Sequence, residues 1–276
     1  MQISNEVYDS AQRPHPLIDE ILALVKYKDL LIQFISRALK TRYKRSVLGV
    51  AWTMLNPLLM TLVLTLVFSG IFVQIYKLDN FPVYVLSGLM AWQFFSSTTS
   101  AAMGEMIWSG SLLNRIYVPK SVFAVSAVGT GLVNLALSLI PLLFISLVLR
   151  VKLTPAILVM PLAALLLALF ALGVGLLLAT AAVYFADMLP VYEVVLMVWM
   201  YSSPIIYPVE ILRSPLNWLI KLNPMYYLIT AFRTPLYKGV VPGWDIWLPA
   251  AGFAILAFLV GGLVFTAKSN EYAYRI

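Results

Sequence analysis

The side chains that usually carry covalent or metal chemistry are scarce here. Cysteine is absent and His15 is the one histidine among 276 residues. That composition excludes thiolate sites, disulfide frameworks and cysteine nucleophiles, and it gives no basis for a histidine metal site or proton relay. Glu105, Asp187 and Glu193 stand at the edges of long uncharged runs, not inside them. Ion-coupled carriers place ionisable groups or broken-helix ion sites at the membrane midplane, and an embedded transferase needs a buried base with a carboxylate pair. Neither pattern is present, and there is no G-x-x-x-x-G-K-S/T phosphate loop. No catalytic, cofactor-binding or metal-ligating set is therefore expected on this chain. Aromatic residues are plentiful instead. Trp92, Phe94, Phe95, Trp199 and Tyr201 lie within apolar runs. Aromatic faces stack on the apolar faces of sugar rings without charge, so Trp92, Phe95, Trp199 and Tyr201 are candidates for lining a pathway. The same residues suit helix packing and lipid contact, and an interfacial belt is the default place for Trp and Tyr in a membrane protein.

Two basic groups form the other candidate surfaces. Asn114, Arg115, Tyr117 and Lys120 fall in a connection at 105–121, longer than a simple helix hairpin needs. It reads either as a docking surface for a cytoplasmic partner or as a plain loop. Arg37, Lys40, Arg42, Lys44 and Arg45 cluster ahead of the first long neutral run. Leu30, Leu31, Phe34, Ile35, Ala38 and Leu39 recur at helical spacing opposite Gln33, Arg37, Lys40 and Lys44, which predicts an amphipathic helix over 28–45. It suits the headgroup layer; a solvated helix packed on another subunit is the alternative.

The elements that position these residues follow from composition. The chain is 62% apolar and 11% charged, with a mean hydropathy of +0.91, whereas soluble domains carry roughly 25% charge. An all-α integral membrane protein is expected. Charges divide it into neutral runs at 46–76, 80–104, 121–149, 153–186, 194–209 and 246–267. About 20 residues cross the hydrocarbon core as a helix, which predicts six spans near 52–75, 84–104, 122–148, 156–184, 191–208 and 246–267. The first 50 residues hold no apolar signal segment, and with both termini inside, twelve of the nineteen Lys and Arg fall on the inner side. The outer segment 209–245 is apolar yet broken by Pro215, Pro224, Pro235, Lys221, Arg233 and Lys238. Two short re-entrant helices near 215–222 and 225–237 reconcile these facts, because irregular backbone at membrane depth needs a cover of protein or cavity. Pro57, Pro204 and Pro208 are either pathway-shaping kinks or the ordinary prolines of membrane helices.

Four motifs carry a family resemblance. Arg42-Tyr43-Lys44-Arg45-Ser46-Val47-Leu48-Gly49-Val50-Ala51-Trp52 with Leu55-Asn56-Pro57 comes first, then Val85-Leu86-Ser87-Gly88-Leu89 with Trp92-Gln93-Phe94-Phe95. Leu113-Asn114-Arg115-Ile116-Tyr117-Val118-Pro119-Lys120 follows, and Leu222-Asn223-Pro224-Met225 with Ala231-Phe232-Arg233 and Gly239 closes the set. In this order they resemble the permease subunits of polysaccharide-exporting ABC transporters, a type-2 ABC exporter family. The resemblance implies export of lipid-linked O-antigen, capsule or teichoic-acid chains across the bacterial cytoplasmic membrane. It also implies a homodimer with a pathway on its two-fold axis and two copies of a separate ATPase subunit that binds ATP and Mg. The expected layout is a tail at 1–27, the interface helix at 28–51, a permease domain at 52–268 with a cytoplasmic coupling and gate region at 105–121 and an outer re-entrant region at 209–245, and a tail at 269–276. Two other readings stay open on the residues alone: a stand-alone ion- or proton-coupled carrier, and a small-molecule efflux permease of the same fold.

Overall fold

The computed structural model describes residues 16–44, 48–73, 78–108, 119–212 and 216–272. Every regular element among them is helical. In chain order the α-helices are α1 Pro16–Lys26, α2 Lys28–Tyr43, α3 Ala51–Phe72, α4 Phe81–Trp108, α5 Ser121–Val148, α6 Met160–Tyr184, α7 Met188–Tyr201, α8 Leu216–Lys221, α9 Pro224–Tyr237 and α10 Trp244–Lys268. Among the described residues four stretches are long and apolar enough to cross a membrane: Ala51–Ile71, Ser121–Val148, Pro155–Tyr184 and Trp244–Lys268. The chain is a multi-pass membrane protein.

The central helix is α4, which packs against α3, α5, α6 and α9. It is less apolar than the four because it carries serine and threonine at 96–100. Burial is tolerated where a hydroxyl finds a partner without water, as that of Thr99 does, whereas the buried Thr98 Oγ1 has none among the described residues. Thr99 Oγ1 donates to the Phe95 carbonyl at 2.8 Å and shares a 2.7 Å hydrogen bond with the Tyr192 hydroxyl of α7.

The closest helix contact joins α6 to α10. In lipid the separated helices already face apolar chains, so association depends on close packing, and small residues permit it. A Cβ at Gly173 would stand 2.3 Å from the Ala257 carbonyl carbon and 2.4 Å from the Phe258 nitrogen, while one at Gly261 would stand 2.1 Å from the Gly173 carbonyl oxygen. These neighbours are backbone and cannot rotate away. Gly173→Ala is therefore expected to lower stability by about 1–2 kcal/mol, within the range for overpacking. Thermal unfolding in nanodiscs measures it, and an unchanged midpoint would refute this contact.

Three sequence expectations need amending. The span expected at 191–208 is helical only over α7, 14 residues, or about 21 Å at 1.5 Å per residue. The chain bends from Ser202 to Tyr207. Proline at 204 supplies no N–H and disfavours helix at the residue before it. The Ser202 and Ser203 hydroxyls then donate to the Val198 and Trp199 carbonyls, both at 2.8 Å, and the second of these satisfies a carbonyl that the helix end leaves open. Residues 16–26, expected as part of a tail, form α1, which packs on α5 and α10. The amphipathic helix, read over 28–45 within the 28–51 segment, runs Lys28–Tyr43.

Candidate functional site

Two ends of the molecule gather the polar chemistry, with an aromatic cluster between them. At the end carrying α1 and the residues after α10, Glu20 accepts a hydrogen bond from the Ser121 N–H at 3.1 Å and so caps α5. Lys120 donates to the Ser269 carbonyl and lies 5.3 Å from the centroid of the Tyr272 ring. Burial lowers the Lys120 pKa below the ordinary lysine value, and nearby Glu20 offsets part of that. Tyr272 is fully buried, shares a 2.7 Å hydrogen bond with Thr180 and has its pKa pushed up to about 12 by burial. Of the four residues expected in the coupling region, Lys120 thus joins this network. Asn114, Arg115 and Tyr117 lie outside the described residues.

The interface helix packs its apolar side on α5. Phe34 meets Phe123 edge to face at 5.5 Å, and Ile35 fills the space over Gly129. Arg37, Lys40, Arg42 and Lys44 are exposed; Arg45 lies outside the described residues.

The aromatic candidates divide. Trp92 of α4, Phe95 of α4 and Trp199 of α7 come together around Phe170 of α6. Phe95 lies 5.1 Å from Trp199, 5.4 Å from Phe170 and 5.7 Å from Trp92 between ring centroids. Trp92 and Phe95 are buried at 6% and 0% exposure. Tyr201, two residues past Trp199, is 64% exposed. Trp199 and Tyr201 also border a cavity of about 920 Å³ along α7 and α8.

At the opposite end from the termini, the bend after α7 is held by two residues of the α8–α9 hairpin. Asn223 sits in the turn between them. Its Oδ1 accepts from Trp199 Nε1 at 2.8 Å and from the Met225 N–H at 3.0 Å, and its Nδ2 donates to Ser203 Oγ at 2.9 Å and the Ser202 carbonyl at 3.2 Å. One amide therefore caps α9, orients the Trp199 indole and ties down the bend.

Arg233 of α9 is buried beneath the same bend. Nη1 donates to the Pro204 carbonyl and Nη2 to the Ile205 carbonyl, each at 3.0 Å, and the guanidinium lies 3.7 Å from the Tyr84 ring centroid. A planar fork matches two adjacent carbonyls and stacks on an aromatic face, which an ammonium cannot do. Gly88 of α4 leaves the room: a Cβ there would stand 2.1 Å from Nη2. Sequence reading saw Arg233 as an interruption of an apolar segment and Gly88 and Asn223 as parts of motifs. The usable signal was an arginine within the apolar run 222–237, which marks a functional position with a partner to be found.

Segments around Gly88, Asn223 and Arg233, far apart in sequence, thus converge on one bend. A family profile described as ABC-2 type transporter matches residues 29–237, which contain all three. The chain belongs to that family. An O-antigen export system permease protein of Myxococcus xanthus is 29% identical over 262 residues, covering 94% of this chain and 100% of that protein. A capsule polysaccharide export inner-membrane protein of Neisseria meningitidis serogroup A is 26% identical over 226 residues, covering 81% and 84% of the two chains. A polysialic acid transport protein of Escherichia coli is 24% identical over 235 residues, covering 85% and 91%. The ABC-2 match runs from α2 through α9, so the amphipathic helix, the aromatic cluster and the Arg233 clamp all lie within the family's domain.

Proposed function

We infer that this chain is the permease subunit of an ATP-driven exporter that moves a lipid-linked polysaccharide across the bacterial cytoplasmic membrane. The observation that carries the reading is the end-to-end similarity to the Myxococcus xanthus O-antigen permease. The polymer is of the O-antigen, capsule or teichoic-acid class. ATP and Mg belong to a separate ATPase subunit, two copies of which serve a permease homodimer. The stretch 105–121 passes their motion to the membrane domain, with Asn114, Arg115, Tyr117 and Lys120 as its coupling residues.

Six crossings are α3, α4, α5, α6, α7 with its bent extension, and α10, with both termini cytoplasmic. The bend supports this count, because non-helical backbone is tolerated at membrane depth where protein covers it, and Asn223 and Arg233 supply that cover. In this arrangement α8 and α9 re-enter the outer leaflet. The outward faces of α3 and α7 support the dimer: Leu62, Leu66 and Val67 on one, and Val194, Val198 and Tyr201 on the other, are exposed apolar or aromatic residues. A second copy on these faces would enclose a conduit bordered by Trp199 and Tyr201, with Trp92 and Phe95 backing Trp199. Sugar rings slide along such a wall through weak contacts, with no charge to hold them.

Disrupting the gene in the source strain is the direct test. Surface polysaccharide should disappear while lipid-linked polymer accumulates inside, and a plasmid copy should restore display. Undiminished display in the disrupted strain would overturn the reading.

A further inference from the structure

A cavity of about 560 Å³ opens at the end opposite the termini, between the start of α4, the bend after α7, α9 and the start of α10. That volume lies inside the ~300–1,000 Å³ range of small-molecule sites. Its wall includes the carboxylates Glu210 and Asp245, the cations Arg233 and Lys238, and the rings of Tyr226 and Tyr237. None of the four charged groups forms an ion pair with a described residue; the ion pair found among those residues is Lys268–Glu271, at the other end. Arg233 also keeps its Nε N–H without a partner among the described residues, although it is buried. A buried donor left open is uncommon and calls for an explanation such as a ligand.

The mixture of signs narrows the ligand. Two anions and two cations leave the wall near neutral yet dense in hydrogen-bonding groups. A phosphate would meet a carboxylate, and a polyamine would meet a guanidinium or ammonium, at a cost in either case. An uncharged polyhydroxyl ring suits every part. Its hydroxyls donate to Glu210 and Asp245 and accept from Arg233 and Lys238, and its C–H face lies on tyrosine. We propose that this cavity is a glycan-binding pocket that takes one or two uncharged sugar units. It rests on the polysaccharide-permease reading and extends it, because the pocket is separate from the Trp92–Phe95–Trp199 cluster and contains the arginine that holds the bend. A sugar bound there touches the arginine that holds the bend after α7.

The probe is the set of short oligosaccharides that mild acid releases from the strain's own surface polysaccharide. Saturation-transfer NMR and titration are run on the full-length permease with its ATPase partner in nanodiscs. The wild type should transfer saturation to the sugar protons. The Glu210→Gln/Asp245→Asn pair should bind about tenfold more weakly, equivalent to roughly 1.4 kcal/mol, and so should Tyr226→Ala. Both carboxylates are exposed, so the pair should keep the wild-type unfolding midpoint. Trp218→Ala, at an exposed position on α8 outside the cavity, should bind as the wild type does. Absent binding to the wild type, equal binding by the carboxylate pair, or displacement of the sugar by inorganic pyrophosphate would each overturn the pocket. Intact surface polysaccharide after gene disruption would instead remove the export reading, so the two failures are distinguishable.

Discussion

Arg233→Ala is expected to be the most damaging single substitution in the half of the molecule away from α1. It releases the Pro204 and Ile205 carbonyls, which accept the two 3.0 Å hydrogen bonds of the guanidinium. Each orphaned buried carbonyl costs about 1–3 kcal/mol when no other donor reaches it. A loss of about 3 kcal/mol or more should appear as a lower unfolding midpoint in nanodiscs, together with little surface polymer per inserted permease. Arg233→Lys should rescue only part, since one ammonium does not reproduce the fork. Gly88→Ala reaches the same end from α4, because its Cβ would stand 2.1 Å from Nη2 and must displace the guanidinium. If Arg233→Ala keeps both the wild-type midpoint and wild-type display, the clamp is not what holds the bend.

Phe95→Ala and Tyr201→Ala should separate packing from pathway. Phe95 is completely buried, with three aromatic rings within 5.7 Å of its own centroid. In a water-soluble core its truncation would cost about 3–5 kcal/mol. In lipid the transfer part shrinks, because the separated helix faces acyl chains and not water, and the cavity with the lost ring contacts remains. We expect about 2–3 kcal/mol of destabilisation, with export per folded molecule nearly unchanged. Tyr201→Ala should do the reverse: at 64% exposure it should leave stability within about 0.5 kcal/mol and slow export. A slower Phe95→Ala with undiminished stability would make Phe95 a wall residue and reverse the division.

The membrane-crossing elements were legible in the sequence because charge in hydrocarbon is costly. A run without charge has few alternatives to a helix, since every backbone group must be satisfied within the segment. Hence α3, α5, α6 and α10 lie within a few residues of the neutral stretches that announced them. The α8–α9 hairpin was readable for the same reason, because prolines and cations forbade a single long helix where the composition invited one. The early end of α7 was not read correctly. Its apolar run continues to Val209, and composition does not reveal whether the carbonyls exposed by a bend find donors elsewhere. The donors come from Asn223 and Arg233, about twenty and thirty residues further on. Nor could the type of an aromatic residue say what it faces. Phe95 and Tyr201 both lie in predicted spans, yet one is enclosed by α6 and α7 while the other is open. Local chemistry and hydrophobic length determined which segments are helices and which membrane family they serve. Which arginine holds which bend, which ring is core and which is wall, and which charges meet around one cavity depended on contacts between segments distant in sequence, and those exist only once the helices have packed.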